Sequence, residues 1–203
     1  MPEYAESCEE AVFVESRPLM NDDGTFLRSF PVHFEERHAR VIQADPGSCL
    51  DAVEAFRTED DLLISACLAL RDLPGRMIGA VKGRPAHRFS MASFTPLGRH
   101  EDRYVLYGLA GAFWRFDYGL HDIGPSSQNF WQADDSLCRL ILTFEAEALP
   151  GGRTRLVTRT IVSCGTVSAR TQMSRYWTII RPMSGLIRRR ILSRVDGVID
   201  KNR

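Results

Sequence analysis

Ser136-Leu137-Cys138-Arg139-Leu140-Ile141-Leu142-Thr143-Phe144-Glu145-Ala146-Glu147-Ala148-Leu149 is the stretch that decides the fold. Cys138, Leu140, Leu142, Phe144, Ala146 and Ala148 alternate with Leu137, Arg139, Ile141, Thr143, Glu145 and Glu147. Successive strand side chains point to opposite faces, so this reads as a strand with one apolar and one mixed face. Pro150-Gly151-Gly152 then turns the chain, and residues 154–164 continue the same period. There Leu156, Thr158, Thr160, Val162 and Cys164 oppose Arg155, Val157, Arg159, Ile161 and Ser163, whose two arginines mark the second set as outward. Thr158 and Thr160 are then inside with Leu142 and Phe144. A buried hydroxyl costs about 1–3 kcal/mol unless it is bonded, so these threonines either bond within the protein or meet a ligand or trapped water.

Upstream, residues 88–96, 103–117 and 127–133 also read as strands, joined by short polar connections that imply antiparallel hairpins. The 103–117 segment is ambiguous, because a single bulge near Gly108 or Gly111 would exchange its faces halfway. Trp114 is taken as inward. Before the meander, residues 38–44 form a short strand with Ala39, Val41 and Gln43 on one face. Asp45 caps a helix with Pro46 at its first position, and Cys49, Leu50, Val53 and Phe56 give it one apolar face. A second helix starts near Asp61 and follows Leu62, Leu63, Ala66, Leu70 and Leu73 to Pro74-Gly75. Residues 166–199 form a long amphipathic helix carrying Met173, Trp177, Ile180, Ile187, Ile191 and Val195, kinked by Pro182 and covering one face of the sheet. Residues 1–37 are set apart as an N-terminal extension, and 38–203 as the domain proper.

With 203 residues, 44% hydrophobic and 26% charged, the chain has ordinary globular composition and can bury a sizeable core. No apolar run is long enough to span a membrane, the acidic opening is unlike a signal peptide, and five cysteines suit reduced thiols, which together imply a cytoplasmic location. Net charge is zero but unevenly laid out. Residues 1–61 carry 15 acidic and 5 basic side chains, whereas 153–203 carry 2 acidic and 12 basic. Such ends neutralise one another within the fold or across a homodimer, the latter being a salt-dependent self-association. Arg188, Arg189, Arg190 and Arg194 form a basic helix end, either solvated or docked on an anionic lipid surface. Arginine-rich nucleic-acid binders usually carry lysine as well; here 24 arginines stand against Lys82 and Lys201, and a nucleic-acid partner is not expected.

The element order, together with Arg175-Tyr176-Trp177-Thr178-Ile179-Ile180-Arg181-Pro182-Met183-Ser184-Gly185-Leu186-Ile187-Arg188-Arg189, Gly108-Leu109-Ala110-Gly111-Ala112-Phe113-Trp114-Arg115 and Gly152-Arg153-Thr154-Arg155-Leu156, resembles the START-like or polyketide cyclase/dehydrase (SRPBCC) superfamily, and within it an uncharacterised bacterial subgroup. The resemblance covers about residues 38–192. It implies an α+β helix-grip fold: a curved antiparallel sheet wrapped around a long C-terminal helix, with two short helices after the first strand. It also implies a cavity between sheet and helix that holds a hydrophobic or aromatic small molecule, lipid- or polyketide-like. Trp114, Trp131, Leu142, Phe144, Thr158, Thr160, Met173 and Trp177 are the candidate pocket-lining residues.

The chemistry of the sequence is sparse. His33 and His38 lack the spacing of a zinc hydrolase, no Cys-x-x-Cys occurs, and neither a nucleophile elbow, a P-loop nor a dinucleotide fingerprint is present, so no metal or cofactor is expected. No catalytic residue is assigned. For a cyclase, dehydratase or aromatase using the same cavity, His121, Asp117, Tyr104 and Tyr107 are the first acids or bases to test.

Overall fold

The computed structural model describes residues 30–57, 61, 63–65, 93–115, 119–121, 127–131 and 136–201. They form an α+β structure with one five-stranded antiparallel sheet and a long C-terminal helix. The strands are β1 (Phe34–Ile42), β2 (Thr95–His100), β3 (Tyr104–Gly111), β4 (Cys138–Leu149) and β5 (Arg153–Cys164), in the order β1-β5-β4-β3-β2. The helices are α1 (Pro46–Glu54), α2 (Ser127–Trp131) and α3 (Val167–Lys201), with a helical turn at 63–65.

The β4–β5 hairpin follows its alternation. Leu149 pairs with Arg153 across Pro150-Gly151-Gly152, and both glycines have positive φ (79° and 65°), which only glycine adopts without strain. From that loop the register runs unbroken to Cys138 opposite Cys164. These two cysteines are joined in a disulfide, which corrects the expectation of reduced thiols and removes one support for a cytoplasmic location. The pairing was implicit in the three-residue loop, since each cysteine lies 11 residues from the hairpin end. Closing a loop of 26 residues is worth about 3 kcal/mol in the chain-entropy account. Alkylation of the denatured, unreduced protein is therefore expected to spare Cys138 and Cys164, and their replacement by serine to lower stability by about that amount.

β1 begins at Phe34, taking in four residues that the sequence reading left outside the domain, and Ala39 and Val41 share one face, as expected. Ile42 is buried and Val41 is 48% exposed, so Phe34, Glu36, His38, Arg40 and Ile42 face inward rather than Ala39 and Val41. Three of the edge strand's inward residues are polar, His38 paired with Glu36 and Arg40 with Asp196 of α3, so hydrophobicity did not report the face. On β3 the inward set is Val105, Tyr107 and Leu109, opposite Phe144, Leu142 and Leu140. The expected bulge lies instead in β2, where the register skips Leu97 between Pro96 and Gly98. β2 extends through Gly98-Arg99-His100, which had been read as loop, and the turn is made at Glu101 with φ 43°. Residues 127–131, expected as a strand, are helical.

Asp45 caps α1 by accepting from the Ser48 N–H at 2.9 Å and its hydroxyl at 2.7 Å, with Pro46 at the first position as expected; these bonds lower its carboxyl pKa. Thr166 caps α3 through the Ala169 N–H at 3.1 Å. α3 runs unbroken for 35 residues, about 50 Å, with Pro182 on its exposed side where solvent can bond the carbonyl left free. The second expected helix is present at 63–65, and its continuation from 66 lies outside the described residues.

The inner core joins Leu142, Phe144, Leu156 and Val162 of the sheet to Cys49, Leu50 and Val53 of α1, Ile64, and Met173, Ile191, Leu192 and Val195 of α3. The opposite face is buried as well. Ile141, Thr143, Val157, Ile161 and Ser163 are each under 4% exposed, and Phe130 of α2 lies against Gly108, where an added Cβ would come within 2.7 Å of its ring. Arg159, taken as a mark of solvent, is buried and ion-paired to Glu35 at 2.8 Å and Glu145 at 3.6 Å. A guanidinium between carboxylates can be buried, so charge did not mean water at that position. Burial raises the pKa of Glu145, although Arg159 and the Thr143 hydroxyl favour its anion.

Candidate functional site

The inner face of the sheet under α3 is mixed in character. Toward one end Phe34, Val162, Leu140 and Leu109 form a row across β1, β5, β4 and β3, and the Trp177 ring of α3 lies 5.7 Å from that of Phe34. Phe34, Leu140, Tyr107, Trp114, Tyr176 and Trp177 all border this core while remaining partly exposed. Burial pushes the Tyr107 phenol up to about 12, with the charge of Glu54 adding to the effect.

The next two rows are polar on their β1 side. Glu36 faces Thr160 and then Leu142; His38 faces Thr158 and then Phe144. His38 Nε2 lies 3.0 Å from Glu36 Oε1. Arg188 of α3 donates from Nε to Thr160 Oγ1 at 3.1 Å. Glu36 Oε2 and Thr158 Oγ1 are buried and have no hydrogen-bond partner among the described residues. Above them α3 presents Gly185, where an added Cβ would sit 2.6 Å from Glu36 Oε1 and 3.2 Å from His38 Nε2. Only a glycine lets the helix backbone approach the pair this closely.

Of the residues expected to line a pocket, Leu142, Phe144, Thr158 and Thr160 share the inner face, Met173 and Trp177 belong to α3, and Trp114 borders the same core. Trp131 does not join them. It ends α2, its carbonyl accepts from Arg139 at 3.0 Å, and Phe130 beside it packs on the other side of the sheet. Trp131 was a candidate for its aromatic ring alone, and it stands on a helical turn rather than on the expected strand. Among the residues named for acid–base chemistry, Tyr104 lies on the outer face stacked 5.2 Å from His100, His121 is exposed, and Asp117 lies outside the described residues. Tyr107 is on the inner face, opposite Leu142.

Glu36, His38 and Arg188 were missed. The available signal was a histidine two residues after a glutamate within a strand, hence on one face, and a glycine at helical spacing on the covering element.

Two arginines of the basic helix end are ion-paired within the chain. Arg190, at 2.9 Å, and Arg194 both donate to Asp61 Oδ2, while Asp61 Oδ1 accepts the N–H groups of Leu63 and Ile64. Burial alone would raise the Asp61 carboxyl, but Arg194, the Ile64 N–H and Arg190 together bring it down to about 2. Of the expected readings, neutralisation within the fold describes these arginines. Among the described residues no group of three or more His, Cys, Asp or Glu could hold a metal ion, and no helix is long and apolar enough to cross a membrane. The chain matches no protein-family model, no curated protein and no solved structure.

Proposed function

We propose that the chain has a helix-grip, START-like fold and binds a hydrophobic or aromatic small molecule, lipid- or polyketide-like, between the inner face of the sheet and α3. The observation that carries this reading is the set of partly exposed apolar side chains bordering the core, with Phe34, Leu140 and Tyr107 on strands and Tyr176 and Trp177 on the helix. Aromatic and aliphatic groups left half-open beside a core are where an apolar ligand gains most by displacing water. Mass spectrometry of small molecules released on denaturing freshly purified protein, against a mock purification, is expected to show a stoichiometric lipid or aromatic metabolite. Leu140→Glu places a charge on the inner face and is expected to remove that molecule while the disulfide-locked hairpin stays folded. An identical inventory from protein and mock overturns the reading.

The 3.0 Å contact between His38 and Glu36 favours a second reading, an enzyme of the cyclase or dehydratase kind. A histidine oriented by a carboxylate can move a proton at pH 7, and such catalysis needs little beyond positioning. Turnover of the released compound class, lost in His38→Ala with binding retained, separates the two readings.

A further inference from the structure

We propose that the polar rows of the inner face recognise one neutral hydroxyl, alcohol or phenol, at the end of the apolar ligand, with Glu36 Oε2 accepting its hydrogen and Thr158 Oγ1 bonding its oxygen. The inference rests on the binding function proposed above. Glu36 is 8% and Thr158 1% exposed, and the two named oxygens are without partners among the described residues. An unpaired buried polar atom is costly, so a native fold keeps one where something arrives to satisfy it.

Chemistry narrows what arrives. A carboxylate oxygen only accepts, so the incoming group must donate; a threonine hydroxyl either donates or accepts, so the same group can carry a lone pair for it. A second carboxylate or a phosphate would face the negative Glu36 directly. An ammonium would face Arg188, which already donates to Thr160 in the adjoining position. A neutral donor remains.

Geometry narrows it again. Glu36 pairs with Thr160 and His38 with Thr158, so Glu36 and Thr158 are diagonal neighbours, about 7 Å apart by sheet geometry, a span one bridging atom can close between side-chain tips. His38 holds the other carboxylate oxygen, which fixes where Oε2 points. The close approach of α3 at Gly185 lies on the Glu36 Oε1 and His38 Nε2 side of the pair, where an added Cβ would stand 2.6 Å and 3.2 Å from them. Phe144, directly opposite Thr158 on β4, gives the carbon behind that hydroxyl an aromatic wall.

The test is a fluorescence titration of the full chain with 2-naphthol, 2-methoxynaphthalene and naphthalene. Wild type is expected to bind 2-naphthol roughly ten- to hundred-fold more tightly than the other two, the span of one hydrogen bond to a charged group. Thr158→Val and Glu36→Gln, near-isosteric changes, are expected to erase that preference while leaving naphthalene binding within about two-fold. Equal affinity of wild type for all three overturns the hydroxyl site and leaves the apolar binding function standing. A preference that survives both variants also overturns it, because the hydroxyl is then read elsewhere. No binding of any of the three overturns both proposals. Where one variant does not fold, the other decides whether the preference belongs to this site, and equal wild-type affinities overturn it without either.

Discussion

Asp61→Asn is expected to lower the unfolding free energy by about 3 kcal/mol in urea denaturation at pH 7. Asp61 divides its carboxylate between two tasks: Oδ1 caps the turn at 63–65 and Oδ2 holds Arg190 and Arg194. Asparagine keeps an oxygen for the cap and turns an amide toward the guanidinium groups, so the substitution isolates the ion pairs. Removing one partner of a buried pair costs about 3–5 kcal/mol, and the lower end applies because the arginine side chains are 38% and 44% exposed and can hydrate. The acid limb gives the second signature. The carboxyl sits at about 2 when folded against a model value of 3.8, so it contributes stability fully above the unfolded value and loses it as pH falls through the folded one. The gap corresponds to about 2 kcal/mol. The difference between wild type and Asp61→Asn should shrink by that amount between pH 5 and pH 2, and a difference independent of pH would remove the ion pairs from the account.

Gly185→Leu is expected to cost about 3 kcal/mol, at the upper end for overpacking. The first added carbon would already stand 2.6 Å from Glu36 Oε1, and the carboxylate cannot swing away without leaving His38. Gly185→Ala is the informative companion. Alanine gains up to about 1 kcal/mol of helix propensity over glycine, so its net effect reports how far α3 can lift from β1. In a Glu36→Ala background the 2.6 Å contact is gone and the 3.2 Å approach to His38 Nε2 remains, so Gly185→Ala should become more favourable than in the wild-type background. Thermal denaturation of the four proteins closes the cycle.

The parts of this fold that were legible are those where one physical term dominates. β4 and β5 alternate because one face packs against helices, α1 declares itself through Asp45-Pro46, and α3 through apolar residues every three or four positions. β1 was legible as a strand but not in its facing, because Glu36, His38 and Arg40 point inward and Val41 outward, so hydrophobicity does not mark the inner face. Arg159 lies on the outward set as expected, but its burial depends on carboxylates from β1 and β4 that no local pattern announces. The candidate site was half visible. Thr158 and Thr160 were placed by their own strand, whereas Glu36 and His38 enter it through a pairing of residues over 100 positions apart, and Arg188 through a helix crossing that brings it to Thr160. Trp131 failed where a short segment could be a strand or a single helical turn.

The β4–β5 hairpin is closed at both ends, by Pro150-Gly151-Gly152 at one and by the Cys138–Cys164 disulfide at the other. Its 12 paired positions form a covalent ring that cannot unzip from a terminus. Amide hydrogens in this ring should therefore exchange with solvent only when the whole structure opens, while those of the edge strands β1 and β2 exchange through local fraying. Adding reductant should bring the two classes together. The sheet thus keeps a slow centre between two faster margins, and β1, which carries Glu36 and His38, belongs to one of those margins.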